Sequence, residues 1–112
     1  MSIGNELSVA TRTAGAHTIV IVTGRVTVDS SPELRAVLRN EIGTGLGITI
    51  DFSEASYLDT SAVATLLEAA TLASERRVSL HVIGLRGDAR VVAETAELDR
   101  IFAALGYEVQ FA

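Results

Sequence analysis

The chain has 112 residues, 48% of them hydrophobic, which suits one compact domain with a single core. It contains no cysteine, so disulfides, thiolate metal sites and thiol nucleophiles are excluded. The formal net charge of −5 would repel a phosphate backbone, and three Phe, two Tyr and no Trp make a poor base-stacking platform, so we expect no binding to nucleic acid.

Export and membrane insertion are both disfavoured by the sequence. Residues 1–6 have neither the basic region nor the apolar stretch of a secretory signal, which predicts that the chain is not exported. No apolar run approaches the ~18 residues of a membrane span, because residues 19–22 are soon followed by Gly24 and Arg25. We therefore expect a cytoplasmic protein with no direct membrane insertion.

The first two predicted elements form a β-hairpin. Residues 6–13 alternate loosely between apolar and polar side chains, and Gly15 then turns the chain into a second strand over residues 17–23. This second strand is rich in Ile and Val, so we expect it to be buried on both faces of a sheet. Gly24 is predicted to end it.

The first helix is predicted after this hairpin. The run Ser-Ser-Pro-Glu at residues 30–33 combines a serine cap, a proline in the first turn and an acidic residue near the positive end of the helix dipole. Apolar residues then follow at helical spacing up to Ile42, and the glycines at positions 43 and 45 close the helix.

The remaining predicted elements alternate between strands and helices. They are a strand over residues 46–52, a helix that begins after Asp59 and extends to about Arg77, a strand over 78–84, short helices over 88–95 and 97–105, and a last strand over 107–111. The order β-β-α-β-α-β-α-α-β is typical of βαβ crossovers and predicts a mixed, mainly parallel β-sheet flanked by helices. The predicted fold class is therefore a single α/β domain covering residues 1–112.

The start of the second helix follows from local chemistry. If Asp59 is the N-cap, Leu58 and Val63 occupy the two positions of a hydrophobic staple. With Thr60 as the cap, the pair would be Asp59 and Ala64, which cannot form a staple. Asp59 is therefore the predicted cap, and Thr60 is the first helical residue.

The two sides of this helix have different compositions. At about 100° per residue, one side is apolar and is predicted to face the sheet, with Val63, Leu66, Leu67 and Ala70. The roughly opposite side is predicted to face outward, with Ser61, Thr65, Glu68 and Leu72. Thr60 lies between the sides at the helix tip, within reach of another protein. The small side chains of the outward side suit a contact surface better than a catalytic pocket.

Residues 51–67 resemble the STAS domain, whose best known free-standing members are bacterial anti-sigma factor antagonists. The resemblance rests on a strand ending in Asp51-Phe52, a spacer, and Leu-Asp-Thr-Ser at residues 58–61 opening an apolar helix. It extends to the turn at Gly24 and to the Leu-Asp-Arg-Ile-Phe run at residues 98–102, and so covers nearly the whole chain.

The resemblance implies a phosphorylation switch at the helix start. In this family the hydroxyl residue after the aspartate is phosphorylated by a partner kinase that is itself the anti-sigma factor, which makes Thr60 the implied phosphoacceptor. The implied partner-binding surface consists of Asp59, Thr60, Ser61, Ala64, Thr65 and Glu68. A phosphate at a helix N-terminus is tolerated by the helix dipole, yet beside Asp59 it would repel an acidic or tightly packed partner. The domain is expected to stay folded while the interface is lost.

One departure from the family pattern leaves other functions open. The family usually has glycine after the second hydroxyl residue, whereas this chain has Ala62. Some STAS domains dock on the ATPase of a phospholipid-trafficking ABC transporter through the same helix, without phosphorylation, and others assemble as scaffolds of many copies. For this chain we expect a monomer or a weak dimer.

Other motifs in the sequence have simpler structural interpretations. The Asp-Thr-Ser run itself could serve only as a stable helix cap. His17 and His81 lie in different strands with no companion at metal-ligand spacing, which predicts no metal site. The run 84–87 lacks the Gly-Lys-Ser/Thr ending of a phosphate loop and is predicted to be a turn between a strand and a helix. With no readable set of acid, base and nucleophile, we expect neither enzymatic activity nor a cofactor.

Overall fold

The computed structural model describes residues 6–112, which contain the predicted elements in the predicted order. The elements are β1 (Ser8–Ala14), β2 (His17–Val26), α1 (Ser31–Gly43), β3 (Gly47–Leu58), α2 (Thr60–Glu75), β4 (Leu80–Leu85), α3 (Gly87–Thr95), α4 (Leu98–Ala104) and β5 (Glu108–Phe111). The prediction of a missing export signal falls mostly on residues 1–5, outside the described residues. Each helix within residues 6–112 is too short or too polar to span a membrane.

The strands of the described chain form one sheet in the order β1-β2-β3-β4-β5. β1 pairs with β2 as an antiparallel hairpin, whereas the β2–β3, β3–β4 and β4–β5 pairs are parallel. Parallel neighbours cannot be joined by a tight turn, so helices make the crossovers between them. The predicted single α/β domain with a mixed, mainly parallel sheet is confirmed.

The core lies on one face of the sheet. Along β2, Thr18, Val20 and Val22 are fully buried, whereas the residues between them are half-buried. The register places Val20 beside Ile50 of β3 and Ile50 beside Val82 of β4, so the buried residues of three strands share a face. The prediction that β2 is buried on both faces is therefore wrong. The helices pack on one face, and the isoleucines of the other face are shielded only in part.

β2 and β3 run further than their local sequences predict. Gly24 adopts a φ of 89°, and the register with β3 shifts beside it, so this glycine bends β2 without ending it. β3 continues through residues 53–58, predicted to be a spacer, because they pair with the end of β2 as far as Leu58 opposite Val26. This long-range pairing holds the segment extended and brings the buried Leu58 directly before α2.

α1 begins at Ser31, within the run predicted to start it, but the side chain of Ser30 at the N-cap forms no capping hydrogen bond. The Ser30 hydroxyl accepts a hydrogen bond from the Thr27 backbone N–H at 2.9 Å and donates one to the Arg25 carbonyl at 3.0 Å. Ser30 has helical backbone angles, which turn its side chain toward the preceding loop. The serine therefore orders the β2–α1 loop, defined here as residues 27–30, and Pro32 lies in the first turn as predicted.

Candidate functional site

Asp59 caps α2 with one oxygen of its carboxylate. Its backbone is extended, with φ −113° and ψ −174°, as expected of an N-cap residue. Oδ1 accepts hydrogen bonds from the backbone N–H groups of Ser61 at 2.9 Å and Ala62 at 3.3 Å. The Ser61 hydroxyl also donates to Oδ1. The predicted cap is confirmed. It satisfies the Ser61 N–H, and it shares the Ala62 N–H with the Asp59 carbonyl, which lies 3.1 Å from that nitrogen.

The other oxygen of Asp59 joins the helix start to the β2–α1 loop. Oδ2 accepts a hydrogen bond from the Val28 backbone N–H at 3.0 Å. Val28 consequently lies beside the start of α2, with its side chain 69% exposed. No sequence pattern indicates this contact, because the two residues are 31 positions apart. The sequence shows only that Val28 is an apolar residue between the predicted second strand and first helix.

The carboxyl group of Asp59 has a lowered pKa and is ionised near neutral pH. Partial desolvation raises the pKa of Asp59, but hydrogen bonds from the Ser61 hydroxyl and from the backbone of Ala62, Val28 and Ser61 outweigh it, and the pKa falls below its ordinary value. A full negative charge therefore lies next to Thr60.

Thr60 and Ser61 differ in accessibility although they are neighbours. Thr60 is exposed, and no described residue forms a hydrogen bond with its hydroxyl. Ser61 is half-buried, and its hydroxyl is held by Asp59. An incoming enzyme can reach the Thr60 oxygen without breaking a bond in the protein, whereas reaching Ser61 requires release from the carboxylate.

The predicted outward side of α2 is only partly correct. Glu68 is exposed as predicted, whereas Ser61 and Leu72 are half-buried. Ala64, named only for the implied partner surface, is also exposed, and with Thr60 and Glu68 it forms a stripe at four-residue spacing, here called the α2 stripe. Thr65 is 1% exposed, and its hydroxyl donates to the Ser61 carbonyl at 2.9 Å, so the prediction that it faces outward on the partner surface is wrong for this structure.

The small residues of α2 explain why Thr65 is buried. The buried side includes Ala62, Ala69 and Ala73 in addition to the larger apolar residues. Alanine adds little to a hydrophobicity pattern, but its small side chain lets a helix approach its neighbours closely. The buried side of α2 is therefore rotated about the helix axis relative to the side that the positions of Val and Leu predict. The same rotation leaves Leu67, predicted to face the sheet, only half-buried.

Glu68 connects the α2 stripe to α1. Its carboxylate lies 3.4 Å from Arg35 and 3.9 Å from Arg39, with all three side chains at least 43% exposed. Exposed pairs of this kind contribute little to stability, but they orient charges on a surface. Beyond them is an open groove of about 390 Å³ between the two helices, lined by Arg39, Glu68, Thr71, Leu72 and Glu75.

The two histidines lie on the half-exposed face of the sheet, away from the start of α2. His17 Nε2 is 2.6 Å from the Thr49 hydroxyl, and His81 Nε2 is 3.4 Å from Glu108. Among residues 6–112, no three His, Cys, Asp or Glu side chains are grouped so as to hold a metal ion. Residues 84–87 comprise the end of β4, Arg86 and the first residue of α3, so the change from strand to helix lies where it was predicted.

A family model described as "Mlab, STAS domain" matches residues 9–106. The chain belongs to the STAS family. The match spans every element from β1 to α4 and includes the Asp59 cap and the α2 stripe, which confirms the family indicated by the sequence. No curated protein sequence matches the chain significantly.

Solved structures of anti-sigma factor antagonists share this STAS fold. An antagonist from Mycobacterium paratuberculosis has a TM-score of 0.79 and 13% identity over 98% of this chain and 90% of its own. Unphosphorylated SpoIIAA has a TM-score of 0.75 and 15% identity, covering 94% and 88%. Phosphorylated SpoIIAA from Bacillus has a TM-score of 0.68 and 15% identity, covering 96% and 91%. At these identities the likeness establishes the fold.

Proposed function

We propose that residues 1–112 form one STAS domain that acts in the bacterial cytoplasm as an anti-sigma factor antagonist. The domain binds an anti-sigma factor that is also a serine-protein kinase, and phosphorylation of Thr60 by this partner releases it. The protein acts by binding, without catalysis of its own and without a cofactor. The observation that carries the proposal is the exposed Thr60 hydroxyl beside the Asp59 carboxylate at the start of α2.

The local chemistry supports Thr60 over Ser61 as the phosphoacceptor. Thr60 is exposed and its hydroxyl has no partner among the described residues, whereas the Ser61 hydroxyl is bound to Asp59. A phosphate on Thr60 would lie at the positive end of a 16-residue helix, which favours the modified state of the folded domain.

Phosphorylation of Thr60 changes the surface far more than the core. The modification adds a charge of about −1.5 to −2 directly beside the ionised Asp59. No core residue is displaced, because the Thr60 side chain projects into solvent. A partner that covers the start of α2 therefore meets a strongly negative patch on a folded domain, and binding is lost by repulsion and desolvation.

The test is phosphorylation and binding with a candidate anti-sigma factor kinase from the same genome. We expect one phosphate on Thr60 after incubation with kinase and ATP, located by peptide mass spectrometry. Thr60→Glu should weaken kinase binding by at least about tenfold, and Thr60→Ala should bind without being phosphorylated. Thr71→Glu is the matched control, because Thr71 is an exposed threonine on the same side of α2, three turns from the helix start.

Two results would contradict this proposal. One is a phosphate located elsewhere with Thr60 unmodified. The other is wild-type kinase binding by Thr60→Glu, measured by calorimetry with protein that circular dichroism shows to be folded.

A second candidate is docking on the ATPase of a phospholipid-trafficking ABC transporter through the same helix start, without phosphorylation. Two observations favour this candidate. The first is the description of the matching family model, and the second is the buried Ala62, at a position where antagonists usually have glycine. A methyl group at this position keeps the first turn of α2 firmly helical. Binding to a co-encoded ATPase, together with the absence of kinase binding, would favour this candidate over the first.

A further inference from the structure

The outer edge of β1 has little protection among the residues that the structure describes. β1 ends the strand order, so one of its two edges has no strand partner among the described residues. Its seven residues pair with β2 without a register shift, and they include no proline, glycine or lysine. Proteins usually protect an exposed edge with proline, lysine, a bulge or a short strand, because an open ladder attracts another chain. β1 has none of these features, and its one charged residue is the exposed Arg12.

The opposite edge of the same sheet is protected. β5 has only four residues, its register with β4 is interrupted between Val82 and Leu85, and it begins with the exposed Glu108. A short, irregular and charged edge offers few consecutive hydrogen bonds to another strand. The two edge strands of this sheet therefore differ, because β5 is better protected than β1 against pairing with another chain.

The sequence of β1 is complementary to itself when two copies run antiparallel about Thr11. Thr11 then faces Thr11 of the second copy, and Val9 faces Thr13, so β-branched residues pair with β-branched residues. On the other side of the strand, Arg12 faces Ala10, which keeps the two positive charges apart. We propose that β1 pairs with β1 of a second copy, forming a dimer with one continuous sheet.

The pairing preserves the layered architecture of both copies. Val9, Thr11 and Thr13 lie opposite Val22, Val20 and Thr18 of β2, on the face that the helices cover. Paired antiparallel residues point to the same face, so both helical layers lie on the same side of the joined sheet. No residue of β1 belongs to the α2 stripe, and the dimer leaves that surface for another partner.

The dimer is weak because the interface is small. Seven residues from each copy bury less area than the ~1,200 Å² of a stable interface, so we expect a dissociation constant in the range of about 10 µM to 1 mM. Sedimentation velocity of the full chain over this concentration range should show a reversible monomer–dimer equilibrium.

Charge variants at the symmetry axis provide the test. Thr11 is exposed, so Thr11→Lys leaves the monomer folded but places two lysines opposite each other in the dimer, which should weaken it about three- to tenfold. Mixing Thr11→Lys with Thr11→Glu should give a heterodimer tighter than either homodimer. Ala10→Glu places an acid opposite each Arg12 and should tighten the dimer about two- to tenfold.

The matched control makes the same charge change on the other edge. Gln110→Lys on β5 should leave the dissociation constant unchanged. A wild-type chain that stays monomeric up to about 1 mM would overturn the proposal. So would a dimer that is insensitive to Thr11→Lys, or one that Gln110→Lys disrupts. Because the readout is self-association, these results are independent of kinase binding.

Discussion

The two oxygens of the Asp59 carboxylate act in different parts of the molecule. Oδ1 satisfies the first N–H groups of α2, and Oδ2 holds the backbone of Val28 in the β2–α1 loop. The same carboxylate therefore stabilises the helix start and fixes the loop beside it. Thr60, the adjacent residue, takes no part in these bonds and remains available for modification.

Asp59→Ala should lower the free energy of unfolding by about 1–3 kcal/mol, because it removes the cap and leaves the Val28 N–H without its partner. Urea denaturation at pH 7 measures the change. Asp29→Ala is the control, since Asp29 is exposed and no described residue bonds to its carboxylate. Equal effects of the two substitutions would contradict the role of Asp59.

The lowered pKa of Asp59 also predicts a dependence of stability on pH. Since the folded-state pKa lies below the ordinary value of about 3.9, the carboxylate stabilises the fold fully above that value. The contribution of this carboxylate to the free energy of unfolding declines as the pH falls from the ordinary pKa through the lower folded-state pKa. Wild-type and Asp59→Ala stabilities should therefore converge in acid, and a constant difference down to pH 2 would argue against this origin.

At the scale of elements, α2 shows how small residues determine which side of a helix is buried. Val63, Leu66 and Ala70 are buried as their spacing predicts. Alanines on the neighbouring side pack as deeply as these larger residues, and they bring Thr65 into the core with its hydroxyl bonded to the helix backbone. The accessible side of α2 is accordingly the stripe of Thr60, Ala64 and Glu68.

Thr65→Lys should lower the free energy of unfolding by about 2–4 kcal/mol, because a charge replaces a buried hydroxyl that is already satisfied. Ala64→Lys, at the next residue, should change it by less than about 0.5 kcal/mol, because Ala64 is exposed. Chemical denaturation of both variants compares the two sides of α2. Similar losses at the two positions would mean that the helix is oriented differently.

At the scale of the whole molecule, the sheet brings the β2–α1 loop to the start of α2. Val28 reaches Asp59 because β2 and β3 are parallel neighbours whose ends, Val26 and Leu58, are paired. Near them, the Arg25 guanidinium lies 4.4 Å from the centre of the Tyr57 ring, joining the same two strand ends. The candidate partner surface therefore spans two segments far apart in the sequence.

Val28→Asp should weaken binding of the kinase partner at least about fivefold, because it replaces an exposed apolar contact with a charge beside Asp59. Val91→Asp is the matched control, since Val91 is a similarly exposed valine, 60% accessible, on α3. Calorimetric titration measures both. A larger loss for Val91→Asp would move the partner surface to α3.

Most of the fold was predictable because its signals are local. Helix starts, hydrophobic periods and glycine positions lie within a few residues of the structures they determine, and the element order followed from them. The exceptions are strand limits and burial on the sheet. Residues 53–58 lack a strong strand signal and are extended because β2 pairs with them. The sequence of β2 predicts burial on both faces, although helices cover only one of them.

The sequence by itself determined the element order, the Asp59 cap, the exposure of Thr60 and the resemblance to the STAS family, because each depends on neighbouring residues or on a contiguous motif. The tertiary structure alone decided that Val28 lies beside the candidate site, that Thr65 is buried, and that β1 is an edge strand of the described sheet. Each of these depends on contacts between segments distant in the chain. Local propensity carries no information about such contacts.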